Sequence, residues 1–526
     1  MEYNTVYKNP LKVSARIAYI YPSLYRVMIS SLSSDIIYFM TNEHEDIYLE
    51  RFHNTALTGP EPPSRSIETR TPLKMFKHIF TTLHYEPDVV NLVRLFLASG
   101  IDPRRNTREH VVIAGGPAIM ENPVPYSELF DAMVIGEAET SLDILLEKIL
   151  EYGDEKKKLL EELSTLPYVY VPGFNDDSVI SKTYPRSLDD TYFPRKQILN
   201  DEIEPVYGNG FKYEASRGCL FWCSFCVETR VFQPYRRRGL GGIKSMMNDI
   251  KSTYSNRIVI YSLSFPVERA DIELLELLVS EKIRGSLPSL RLNTLLLDNL
   301  DLFKQFGQKT LTIALESPSL TARKVFSKYV YGNEILIHQF EKIASMRFNV
   351  KLYLIYGVKG LATNTVEELG FIRKIAKIFI DRGAKISVSL NPLIPKPRTV
   401  FQWVGMEDPV KLKHVLATYK KSLAPLVETR PYNIDWGVVQ ASIALSDKPL
   451  THPFIQVAEN GGSLSAWKKA FREGILSPRR ALEGYGLDEE LPWSKFRLSE
   501  LEEKVNMSQY HVYENIRKEL SREASL

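Results

Sequence analysis

The chain has 526 residues, 44% of them hydrophobic and 25% charged, with a formal net charge of +3. That length implies two to four domains with ample core, and the near-neutral balance argues against a protein whose main partner is bulk nucleic acid, although a local basic patch is not excluded. Three cysteines make no disulfide framework, no apolar run is long enough to span a bilayer, and Met1 is followed by no basic-then-apolar signal pattern, so a cytoplasmic protein is expected.

Ala15 to Ile20 reads as a strand stopped by Pro22, followed by a helix near Ser30 to Met40 and a strand from Asp46 to Arg51. After a Pro-rich loop, Ile79 to Leu83 reads as a strand, Val89 to Ala98 as a helix, Val111 to Ala114 and Phe130 to Ile135 as strands, and Glu139 to Tyr152 as an amphipathic helix. Such alternation implies an α/β, doubly wound parallel sheet over residues 1–175, with ligands bound beyond the carboxyl ends of its strands. Gly115 and Gly116 stand at such an end, where a ligand could approach bare backbone; a tight strand-to-loop turn would explain them equally well. Gly153 to Leu163 reads as a solvated helix with i,i+4 ion pairs, and residues 176–204, rich in Asp, Pro and Ser, read as a linker.

Every cysteine lies in one loop, Gly218-Cys219-Leu220-Phe221-Trp222-Cys223-Ser224-Phe225-Cys226, after a strand-like run from Tyr213 to Ser216. Three thiolates at C-x3-C-x2-C can wrap a four-iron cube and leave one iron without a protein thiolate. Scattered core cysteines would have no reason to gather here. A structural zinc would want a fourth cysteine or a histidine, and no histidine occurs between His110 and His338. Beyond the loop, helices and strands alternate: helix Leu240 to Tyr254, strand Arg257 to Leu263, helix Asp271 to Lys282, strand Leu290 to Leu295, helix Leu297 to Phe306, strand Thr310 to Leu315. Helical stretches between Ser319 and Met346 precede strand Val350 to Tyr356, helix Val366 to Asp381 and strand Lys385 to Leu390.

The cysteine spacing, with Phe225 before Cys226, resembles the loop of the radical SAM superfamily. The resemblance implies a partial (β/α)6 barrel over residues 205–407, a [4Fe-4S] cluster held by Cys219, Cys223 and Cys226, and S-adenosylmethionine chelating the open iron. It further implies that Glu316 meets the ribose, that Tyr356, Gly357 and Phe225 lie on the adenine side, and that Ser262 or Ser264 replaces the usual turn for the methionine amine. Ordinary packing or helix capping are the competing readings of these residues. The N-terminal domain, with Gly115-Gly116-Pro117 and Ile135-Gly136-Glu137-Ala138-Glu139, is similar to the cobalamin-binding domain of B12-dependent radical SAM proteins. It lacks a D-x-H-x-x-G motif after the first strand, so a bound cobalamin and a domain without one both stay open. The stretch Asn391 to Trp403 resembles a segment of the same group and would bring Lys396, Arg398, Gln402 and Trp403 toward the barrel mouth, or pack as a lid. Tyr235 to Gly239, with three arginines, reads as a basic patch whose simplest role is capping a helix on the solvent side.

Residues 408–526 read as a helical C-terminal domain without phosphate loop or metal constellation. The absence of further cysteines excludes auxiliary clusters and a methyl-carrying thiol. The leading expectation is an enzyme that cleaves S-adenosylmethionine to a 5′-deoxyadenosyl radical, fed by a donor such as ferredoxin or flavodoxin, for chemistry on an unassigned substrate. Cobalamin-dependent methyl transfer is one form of it. The rivals are a radical SAM enzyme whose N-terminal domain docks RNA or a protein, and a non-catalytic metal-binding or assembly protein.

Overall fold

The computed structural model describes residues 1–361 and 365–523. The chain divides into two compact units, Met1–Gly208 with Ser442–Pro478 and Asp488–Glu500, and Asn209–Ala441 with Arg479–Leu487 and Leu501–Leu526. Residues after 408 are thus shared between the units and form no third body.

In the first unit the strands are β1 (Ala15–Leu24), β2 (Ile47–Asn54), β3 (His78–Thr82), β4 (Val111–Gly115), β5 (Ala132–Val134) and β6 (Val169–Tyr170), ordered β2-β1-β3-β4-β5-β6. All neighbours are parallel except β5 and β6. Ile17 to Ile20 are fully buried on both faces, which is why β1 reads as an unbroken apolar run. Helices α1 (Leu32–Glu43), α2 (Val89–Ala98), α3 (Ala138–Tyr152) and α4 (Lys156–Ser164) belong to this unit, α1 being capped by the Ser31 hydroxyl. Pro22 does not end β1. Pairing with β3 stops at Ile20, and the register with β2 slips between Tyr21 and Leu24, so the missing N–H interrupts no ladder. The chain leaves β1 for β2 on one side and returns to β3 on the other, which makes the carboxyl ends of β1 and β3 a topological switch point.

The stretch 176–204, expected as a linker, is fastened at two places. Ile180–Ser181 pairs with Phe496–Arg497, and Leu199–Asn200 pairs with Glu2–Tyr3. Helix Thr451–Glu459 packs on α2, and Phe454 stacks on Tyr126 with ring centroids 6.0 Å apart.

The second unit alternates β7 (Phe211–Glu214), α5 (Leu240–Thr253), β8 (Arg257–Tyr261), α6 (Arg269–Ser280), β9 (Arg284–Ser286), β10 (Thr310–Glu316), α7 (Leu320–Val325), α8 (Asn333–Ser345), β11 (Asn349–Tyr356), α9 (Thr365–Ile380), β12 (Ile386–Pro392), α10 (Pro409–Leu423) and β13 (Glu428–Pro431). Two parallel sheets result, β7-β8-β9 and β10-β11-β12-β13, and Leu290 links them by single parallel bridges to Phe265 and Ile313. The strand expected over Leu290 to Leu295 is therefore cut short. The Asn293 side chain accepts from the Leu296 amide at 3.0 Å and starts a helix, Thr294–Asp298, within the apolar run. The final helix, α11 (Glu502–Glu523), packs Tyr510, Tyr513, Ile516 and Leu520 into the apolar cluster of Phe326 and Phe401, which Phe225 also joins.

Candidate functional site

The cysteine loop leaves the carboxyl end of β7. Its base is closed by an antiparallel pairing of Ser216–Arg217 with Arg236–Arg237. Gly218 sits at φ +81°, and a Cβ there would lie 2.6 Å from the Phe232 carbonyl oxygen, so only glycine makes this entry. The Ser224 amide donates to the Phe326 carbonyl at 3.2 Å, its hydroxyl to Val325 at 2.7 Å, and its carbonyl accepts from the Val400 amide at 3.2 Å. Gln233 donates to the Cys219 carbonyl at 2.8 Å. Arg230 holds the other half, donating to the carbonyls of Cys223 and Cys226.

All three cysteines are free; Cys219 and Cys223 are buried and Cys226 is half-buried. Burial raises each thiol above its ordinary value, Cys226 to about 12, so thiolates here need a partner cation. Among the described residues no three or more His, Cys, Asp or Glu side chains gather as ligands of one ion. A four-iron cube, in which each thiolate takes its own iron, does not require the sulfurs to converge on one point. Three unpaired sulfur donors on one braced loop fit such a cube.

Two cations that the sequence reading did not single out stand near the sulfurs. Arg291 follows the bridge residue Leu290, and its guanidinium lies 3.3 Å from the ring centroid of Phe221 and 5.2 Å from that of Tyr329. Lys328 is buried and donates to Glu316 at 2.8 Å. Burial opposes the Lys328 charge, but Glu316, Tyr329 and Cys223 outweigh it and raise its pKa, while both cations favour the thiolates of Cys219 and Cys223. Neither lies in a motif, and only their placement after a strand end could have drawn attention to them. Glu316 itself takes φ +69° where the β10–β11 register slips between Ala314 and Glu316.

The other expected residues have these surroundings. Phe225 meets Phe326 edge-on at 5.1 Å. The Ser262 hydroxyl is shared with Ser216 at 2.8 Å and donates to the Ser264 carbonyl at 2.7 Å, closing the turn after β8. Tyr356 is buried at the end of β11, stacked on Tyr419 at 6.3 Å, and its hydroxyl has no partner among the described residues. A Cβ on Gly357 would meet Leu412 at 2.0 Å, so this glycine answers to α10. Gly116, at φ +104°, would collide with the Leu83 carbonyl at 2.5 Å, whereas Gly115 faces open space.

Two further expectations change. Arg236 and Arg238 are buried and Arg237 pairs with Asp271, so Tyr235 to Gly239 is no solvent-facing basic patch. Arg398 is buried and paired with Glu502 at 3.3 Å, its amide donates to Gln402 at 2.7 Å, and Trp403 packs on Tyr510 at 5.6 Å. These side chains fasten α11 to the loop after β12.

The chain is similar to an uncharacterized protein of Methanocaldococcus jannaschii, 27% identical over 463 residues, which are 87% of this chain and 95% of the relative. Residues 33–172 match the family model described as radical SAM proteins, N-terminal. That match, to the N-terminal part of radical SAM proteins, lies wholly within the first unit.

Proposed function

We propose that the chain is a radical SAM enzyme in which Cys219, Cys223 and Cys226 hold a [4Fe-4S] cluster with one iron open to S-adenosylmethionine. The observation that carries this reading is that all three cysteines of the chain lie on one braced loop at the carboxyl end of a parallel strand, the working face of βα folds. When bound, the cluster supplies one electron at low potential for reductive cleavage of the sulfonium. The residues of the chain bind and orient. Arg291, flat on Phe221, and Lys328, fixed by Glu316, offer positive charge to an anionic group beside the loop. Glu316 keeps its second oxygen to accept from hydroxyls such as those of a ribose, and Tyr356 has a hydroxyl to give. The aromatic side chains Phe221, Phe225 and Tyr329 keep the site apolar, which protects a reactive radical from water.

The two parallel sheets linked at Leu290 support the partial-barrel reading of this unit, and the switch point between β1 and β3 supports a doubly wound reading of the other. For a corrinoid the residues fit poorly. Gly116 is spent on its own turn, and β1 is followed by no histidine until His44, beyond α1, so no step is derived through that group. A ferredoxin- or flavodoxin-type protein is the simplest electron donor. The test is anaerobic reconstitution: the wild-type chain should bind about four irons and form 5′-deoxyadenosine from S-adenosylmethionine under dithionite, and Cys223→Ala should do neither. Iron-free wild-type protein, or loaded protein that makes no 5′-deoxyadenosine, would overturn the reading.

A further inference from the structure

Arg230 has no measurable exposure, and every acceptor it meets is neutral. One terminal nitrogen donates to the carbonyls of Cys223 and Cys226 and to the Thr229 hydroxyl. The other donates to Asn506 at 2.8 Å and Gln509 at 3.0 Å, both on α11, and Nε has no partner among the described residues. The Trp222 ring lies 5.4 Å from the guanidinium, and Gln509 also donates to the Trp222 carbonyl. A fully buried guanidinium without a carboxylate is costly, and proteins keep such charges where something else balances them. The groups whose negative charge would act on it are the thiols of Cys226 and Cys223, and Glu502, which is already engaged by Arg398.

Resting on the family reading above, we propose that Arg230 is the built-in countercharge of the iron–sulfur cluster, held against the cysteine loop by Asn506 and Gln509 of the C-terminal helix. Three thiolates outweigh the charge of an oxidised four-iron core, and taking up one electron adds a further negative charge. A fixed cation behind the loop favours the reduced state over the oxidised one, so it raises the midpoint potential. It also stabilises loaded over empty protein, since loading sets thiolates beside the buried charge, whereas Glu502 is already engaged by Arg398. The amide acceptors of α11 suit this role: they satisfy the N–H groups without cancelling the charge. Arg230 is on this account a positioning and tuning residue, and α11 is part of the cluster's housing.

The test is a potentiometric titration, followed by electron paramagnetic resonance, of the anaerobically reconstituted full chain as wild type, Arg230→Lys, Arg230→Gln and Glu502→Gln. Arg230→Gln should titrate at a more negative potential and release iron to a chelator several-fold faster, while Arg230→Lys stays near wild type in potential. Glu502→Gln removes negative charge and should shift the midpoint the opposite way. An Arg230→Gln protein that titrates with the wild type, or an Arg230→Lys protein shifted as far as Arg230→Gln, overturns the proposal. If Arg230→Gln holds no iron, Glu502→Gln decides: a positive shift supports the countercharge, and no shift or a negative one overturns it. Wild-type protein that loads no iron sinks the family reading itself, which separates the two failures.

Discussion

Gly357 takes φ +74° and faces Leu412 at a distance no Cβ could share. Alanine there should cost about 2–4 kcal/mol, combining backbone strain with overpacking. A Gly357→Ala/Leu412→Ala double variant, measured by urea unfolding, should show coupling, because the second change removes the clash and leaves only the strain. Glu316 and Lys328 make a different case, two charges buried together. Glu316→Gln should cost about 3–5 kcal/mol by stranding the Lys328 ammonium, and Glu316→Gln/Lys328→Met should recover most of it. A double variant no more stable than the single one would show that the pair is not the source of the loss. At this scale the sequence was a partial guide. The cysteines announced themselves by spacing, but a glycine after a strand looks the same whether a ligand or a leucine of the same chain fills the space beside it. Arg230, Arg291 and Lys328 carry no spacing signal, because what defines them is the partner brought by the fold.

Among the elements, β3 carries a buried histidine, His78, whose ring meets the Gly153 carbonyl at 3.2 Å. Burial depresses its pKa to about 4 from the usual 6.5. The unfolded chain therefore binds the proton first as pH falls. His78 by itself should contribute a loss of about 3 kcal/mol between pH 6.5 and pH 4, read as the difference in slope between the wild type and His78→Gln. Chemical denaturation across that range reads the effect; equal slopes in both proteins would contradict it. The strands legible from sequence were those with long buried runs, such as β1 and β4, or strict alternation, such as β11, whose residues are buried at every second position. Leu290 to Leu295 misled because an apolar run fits helix and strand alike, and the Asn293 cap decided for helix. Pro22 misled because a proline is harmless where no neighbouring strand needs its N–H.

For the whole molecule, local pattern gave the α/β class and the loop at the heart of the second unit, but not the course of the chain after residue 408. Helices of ordinary amphipathic pattern do not say which body they join, and residues 442–500 are mostly in the first unit while α11 is in the second. What α11 does there ties that helix to the cysteine loop: Asn506 and Gln509 hold the arginine that holds the cysteines. Three cysteines on a four-iron cube would leave one iron vacant for S-adenosylmethionine. The most direct measurement is the electron paramagnetic resonance spectrum of the reduced, reconstituted chain before and after that nucleotide is added. A four-iron signal whose shape changes on addition is the expected result; an unchanged signal, or none, would contradict it.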